Sequence, residues 1–191
     1  LLTTTWSDIR ITRAKTVGGL KTGESKVVWS DKTASRCCNV WAPEVHWIDN
    51  AWWIYYTAGN NVNLDGQRSF VLKGSYTPNP IKHQKKKTHS NTHNNHPPPT
   101  GGATPWDTYT FSSQLLTEWS IDGSILRFPN KNYYIYSCIR DTLQSLCIAP
   151  MTSPSTLGPA TLLTKPTQSW ETQGDFPVAE GPAALYHGGK T

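Results

Sequence analysis

The sequence has 191 residues and a formal charge of +5, with 36% hydrophobic and 16% charged residues. That balance excludes a disordered chain, and a mean hydropathy of −0.52, with no run near the roughly 18 apolar residues a span requires, excludes a membrane-spanning helix. Nine Trp, eight Tyr and four Phe against one Met suit a β-protein with aromatic surfaces, as in sugar binders.

No segment carries a helical period. Short strand-like runs recur instead, bounded by Gly, Pro, Asn and Asp. LLTTTW opens as a strand already in progress, with neither the charged nor the apolar region of a signal peptide. The chain is expected to begin, and after ALYHGGKT to end, inside a domain. DIRITRA and SKVVW follow as strands. Cys37 and Cys38 are adjacent and do not form a CxxC metal pair. EVHWI and WWIYYTAG form a hairpin around Asp49-Asn50, in which one of Trp52 and Trp53 faces the core. RSFVLKG is the next strand.

Residues 76–100 differ from their flanks. This stretch of 25 residues holds Lys82, Lys85, Lys86 and Lys87, four of the six His, and no acid. Its four lysines leave the rest of the chain at +1, so the basic balance does not point to nucleic acid. His83, His89, His93 and His96 lack the spacing of a zinc site. One aliphatic residue, Ile81, cannot build a core. A disordered insertion is expected, foreign to the fold and compatible with a retained intron. The alternative is a genuine loop.

Beyond it, SILRF and NYYIYSCI form a hairpin around Pro129-Asn130-Lys131, and SLCIAPM returns beside them. Cys138 and Cys147 flank this return. They either pair as a disulfide or pack as two small buried hydrophobes. AALYH leads to a third hairpin turn at Gly188-Gly189.

The three hairpins repeat. Aligning Asp49, Asn130 and Gly188 gives spacings of 81 and 58 residues, and removing the 25-residue stretch reduces the first to 56. A period of about 57 residues built from antiparallel strands suggests propeller blades. Eight residues before each aligned turn stand Trp41, Asp122 and Glu180. Two carboxylates converging in an aromatic-rich site suggest glycoside hydrolysis.

NVWAPEVHWIDNAWWIYYTAG (39–59), WSIDGSILRF (119–128) and VAEGPAALYHGGKT (178–191) resemble glycoside hydrolase family 43, as do the linking stretches outside 76–100. Within that family the chain looks closest to fungal and bacterial α-L-arabinofuranosidases. The resemblance implies an all-β fold, a fragment of a five-bladed propeller with blade remnants at about 1–38, 39–118, 119–177 and 178–191. It implies an inverting, extracellular enzyme that acts on arabinan or arabinoxylan, polysaccharides of the plant cell wall. A β-xylosidase or endo-arabinanase of the same family, or a non-catalytic carbohydrate-binding fragment, is the alternative. Glu180 matches the family's general acid. Asp122 matches the Asp that raises the acid's pKa and orients it. The general base has no counterpart here; Asp8 is the nearest acid but stands in the wrong motif. No organic cofactor, nucleic acid or membrane is implied. Some family members hold a metal near the axis, but no ligand set is identifiable in this sequence.

Each residue also has a plainer reading. Glu180 could be a turn residue before Pro182, and Asp122 an Asx-turn residue before Gly123. Trp41 either stacks on a sugar or packs in the core. Glu44 is expected to make a structural hydrogen bond. His46 and His187 read as strand residues rather than metal ligands.

Overall fold

The computed structural model describes residues 1–75, 104–174 and 176–190. The stretch 76–100, and with it the expectation of a disordered insertion, lies outside the described residues. Among those described there are twelve strands, one short 3₁₀ turn (Gly18–Thr22) and no α-helix. The all-β expectation holds.

The strands form three antiparallel sheets in chain order. The first contains β1 (Leu2–Thr4), β2 (Asp8–Arg13) and β3 (Glu24–Ser30). The second contains β4 (Cys38–Ile48), β5 (Ala51–Gly59), β6 (Arg68–Gly74) and β7 (Tyr109–Gln114), each beside its predecessor. The third contains β8 (Ser120–Phe128), β9 (Lys131–Arg140) and β10 (Leu143–Ser153). Here β11 (Thr156–Leu157) and β12 (Thr161–Thr164) pair with successive lengths of β10.

Two-residue turns set the register. Asp49 and Asn50, at φ of 50° and 59°, join β4 to β5. Asp141 and Thr142, at 50° and 66°, join β9 to β10. Asp and Asn tolerate this left-handed region, and two such residues in succession match the twist of the flanking strands. Between β8 and β9 the turn is Pro129-Asn130 alone. Lys131 is already paired with Phe128, so the expected three-residue turn is one residue too long. At Gly188-Gly189 the turn forms as expected, His187 and Lys190 exchanging backbone hydrogen bonds of 3.0 Å. AALYH forms no ladder among the described residues, because a strand needs a paired neighbour and only the His187–Lys190 bridge is present.

β5 explains how the sheets hold together. Its side chains alternate between faces, and both faces are buried. Ile54, Tyr56 and Ala58 join Ile9, Ile11 and Val28 of the first sheet. Trp53 and Tyr55 join Ile125, Tyr134, Tyr136 and Ala149 of the third. Full burial of an aliphatic side chain is worth about 1.5–3 kcal/mol, and Ile9, Ile54 and Leu72 are all fully buried. Tyr134 and Tyr136 stack at 5.6 Å inside the second of these cores. Cys138 and Cys147 are fully buried there and form a disulfide across β9 and β10, which decides between the two readings of that pair. Cys37 and Cys38 are bonded to each other. Trp53 is the core-facing member of its pair, and Trp52 packs half-buried against the opposite core.

Candidate active site

The same irregularity interrupts β4 and β8. In β8 the ladder steps from Ile121–Ser137 to Ser124–Ile135, so Asp122 and Gly123 both oppose Tyr136. In β4 it steps from Trp41–Thr57 to Glu44–Tyr55, so Ala42 and Pro43 both oppose Tyr56. Such bulges bend a strand and re-aim its side chains. The first bulged residue is left-handed in both, Ala42 at φ 42° and Asp122 at φ 53°, and Gly181 follows at 62°. Each of the three stands seven residues before the first residue of its hairpin turn. The two-residue turn at Pro129-Asn130 thus corrects the sequence alignment by one position. Ala42, Asp122 and Gly181 are equivalent, and Glu180 corresponds to Trp41 and Ile121.

Asp122 is half-buried, and Gly123 beside it has a steric reason. A β-carbon there would overlap the Tyr134 hydroxyl, which fills the space under the bulge. Burial raises the Asp122 pKa above the ordinary carboxylate value. The negative charge of Glu180 raises it further, and the backbone N–H of Gly181 partly opposes both. Glu180 thus acts on Asp122, although the corrected alignment no longer gives the two equivalent repeat positions.

Glu180 is held from the third sheet. The side-chain amide of Gln144 donates to its Oε2 at 2.7 Å. The backbone oxygen of Gln144 accepts the Ala179 N–H at 2.9 Å, and Ser137 Oγ donates to the Ala179 carbonyl at 3.0 Å. Gln144 and Ser137 are buried, so the segment entering Glu180 is anchored on both sides. Sequence reasoning missed Gln144; a Gln inside an ordinary strand pattern carries no motif.

A cavity of about 410 Å³ opens beside Asp122, lined also by Ala42, Pro43, Glu44 and Gly181 to Ala183. Glu44 and Ala183 are shared with an adjoining hollow of about 380 Å³ that reaches His46, Arg127 and Tyr186. Glu44 makes the hydrogen bond expected of it, to His46 Nε2 at 2.8 Å. Arg127 Nη2 stands 3.2 Å from the other ring nitrogen, Nδ1. A guanidinium only donates, so Nδ1 accepts and the imidazole proton sits on Nε2, facing Glu44. A larger hollow, about 570 Å³, lies elsewhere, beside Ala14, Lys15 and Trp106, and no carboxylate lines it.

Trp41 does not line the cavity that its neighbours Ala42 to Glu44 enclose. Its ring packs edge-to-face on Trp6, with centroids 5.7 Å apart. Asp8 is taken up by Arg10 in two hydrogen bonds of 3.0 Å, which hold its carboxyl below the usual range. Among the described residues no group of three or more His, Cys, Asp or Glu converges to form a protein cage for a metal.

This arrangement of sheets has known counterparts. The family model for glycosyl hydrolases family 43 matches residues 1–191. An extracellular exo-α-(1→5)-L-arabinofuranosidase of Streptomyces avermitilis is 33% identical over 190 residues, covering 95% of this chain and 34% of that protein. Alpha-L-arabinofuranosidase 43 of Humicola insolens is 32% identical over 195 residues, covering 95% of this chain and 34% of its own. Among solved structures, an α-L-arabinofuranosidase from Lactobacillus brevis superposes with a TM-score of 0.71 at 27% identity, over 95% of this chain and 53% of that one. The chain thus spans about a third of these two curated relatives and about half of the solved one. With the family model matched from its first residue to its last, the chain belongs to glycosyl hydrolases family 43.

Proposed function

We propose that this chain is part of an inverting α-L-arabinofuranosidase acting on arabinan or arabinoxylan, secreted as its relatives' names imply. Its three sheets, followed by the segment from residue 178, are the remnants of successive propeller blades, at about 1–38, 39–118, 119–177 and 178–191. The repeated bulge supports that division. Glu180 is the general acid and protonates the departing glycosidic oxygen. Asp122 is the residue that orients it, and its own ionisation is disfavoured by burial and by the Glu180 charge. The observation that carries the reading is that Asp122 and the segment directly after Glu180, Gly181 to Ala183, line one cavity, with Glu180 itself held by Gln144.

Inversion also needs a base about 6.5–9.5 Å from the acid to activate water on the opposite sugar face. By the motif match that base has no counterpart in this chain, and Asp8, the nearest acid to its place, is engaged by Arg10. General acid–base help is worth about 10²–10⁴-fold, so the 191-residue chain alone is inactive in this reading. Hydrolysis of a nitrophenyl α-L-arabinofuranoside tests it. The chain alone should release no nitrophenol. A longer protein carrying the missing base should be active and lose that activity on Glu180→Gln. Release by the chain itself, or a fully active Glu180→Gln protein, would overturn the assignment.

A further inference from the structure

Trp6 is held in a conformation that stability alone would not select. Its φ is 74°, a region that bulky side chains rarely enter. Its side chain is also left in water, at 62% exposure. The conformation is fixed from both sides. The Trp6 N–H donates to Thr4 Oγ1 at 3.0 Å, and the Trp6 carbonyl accepts the Val40 N–H at 2.9 Å. Thr4 Oγ1 in turn donates to the Val40 carbonyl at 2.6 Å. A strained residue kept in place by its surroundings and presenting an apolar ring to solvent points to a function.

The neighbourhood suggests which one. Trp6 meets Trp41 edge-to-face, with rings 85° apart, and that pairing leaves at least one face of the Trp6 indole open. Trp41 leads directly into Ala42, Pro43 and Glu44, which line the cavity containing Asp122. Trp170, even more exposed at 74%, has neither a left-handed backbone nor an aromatic partner among the described residues. Exposure by itself therefore does not distinguish Trp6; its fixed backbone and its contact with Trp41, the residue before the cavity-lining Ala42, do.

We propose that Trp6 is a stacking platform for a sugar ring of the polysaccharide that flanks the bond to be cleaved. The C–H face of a pentose lies against the open indole, while the adjoining unit enters the cavity beside Asp122 and Glu180. This rests on the glycosidase reading for the position of the cleaved bond, but the platform itself needs only a sugar face.

Electrophoresis of the 191-residue chain in native gels cast with soluble arabinan, arabinoxylan, unsubstituted xylan or no polysaccharide tests it. The wild-type chain should be retarded by arabinan or arabinoxylan. Trp6→Gly suits the left-handed backbone and removes only the ring, so it should weaken retardation about five- to tenfold. Trp6→Tyr should retain most of it, and Trp170→Ala should migrate as wild type. Equal retardation of wild type and Trp6→Gly, or no retardation of wild type in any gel, would overturn the proposal. Trp6-dependent retardation in unsubstituted xylan but not in the arabinose-containing polymers would support the platform and sink the arabinose reading. Loss or retention of hydrolysis on Glu180→Gln bears on the acid pair alone.

Discussion

Gly181 stands at the position that Asp122 occupies one unit earlier, and both have left-handed backbones. Glu180, which immediately precedes Gly181, is held by the side-chain amide of Gln144. Burial and the negative charge of Glu180 together raise the Asp122 pKa.

Asp122 should penalise folding at neutral pH. Its pKa is raised in the folded state by burial and by Glu180, so the folded chain binds that proton more tightly than the unfolded one. The penalty is present while Asp122 is ionised and disappears as pH falls through its folded pKa. Asp122→Asn should raise the melting temperature at pH 7, and the gain should shrink as pH falls through the raised Asp122 pKa and be gone below the ordinary carboxylate value. Glu180→Gln should move the Asp122 titration downward, followed by carboxyl-carbon NMR. An unchanged Asp122 titration in that variant would refute the coupling.

Gln144→Ala removes a buried donor to a carboxylate while leaving both backbone contacts of the strand in place. A cost of about 1–2 kcal/mol is expected in urea unfolding. Gln144→Glu should cost more at pH 7 than at pH 4, because it sets a third carboxyl against Glu180.

Gly123→Ala drives a methyl group into the Tyr134 hydroxyl. Overpacking of this kind costs about 1–3 kcal/mol. Tyr134→Phe deletes the opposing oxygen, so the double variant should recover part of the loss. Purely additive losses in a double-mutant cycle would rule out the steric explanation.

The two disulfides should differ sharply in their effect on stability. Cys138–Cys147 spans 9 residues of sequence, and closing a loop of that size is worth about 3 kcal/mol through the unfolded chain. Cys37–Cys38 joins neighbours and closes no loop. Replacing Cys138 and Cys147 by Ala should lower stability by about that amount. Replacing Cys37 and Cys38 by Ser should change it by less than about 1 kcal/mol. Guanidinium unfolding of both double variants decides the matter.

The period-2 pattern made the central strands legible. RSFVLKG matches β6 residue for residue, and WWIYYTAG lies wholly inside β5. Asp-Asn and Gly-Gly announced their turns because few residues accept a left-handed backbone. Other elements carry weaker signals. YTFSSQ became β7 through pairing with β6 from far along the chain, although its own alternation is mostly polar. TLLT forms β12 while remaining exposed. Asp122 and Glu180 stood out through their motifs and through a repeat alignment that was one residue off. The exact register was not readable, because the length of a Pro-Asn turn depends on which residues pair. Gln144 and Trp6 came from structure alone: a buried amide and a strained backbone leave no trace in composition or spacing.

The double-sided burial of β5 has a consequence for how the molecule comes apart. Neither core can open without exposing side chains of the strand that also closes the other. The three sheets should therefore melt as one cooperative unit rather than in sequence. A polar substitution at Ile54 would loosen the first sheet as well as the second, and one at Tyr55 would loosen the second and the third.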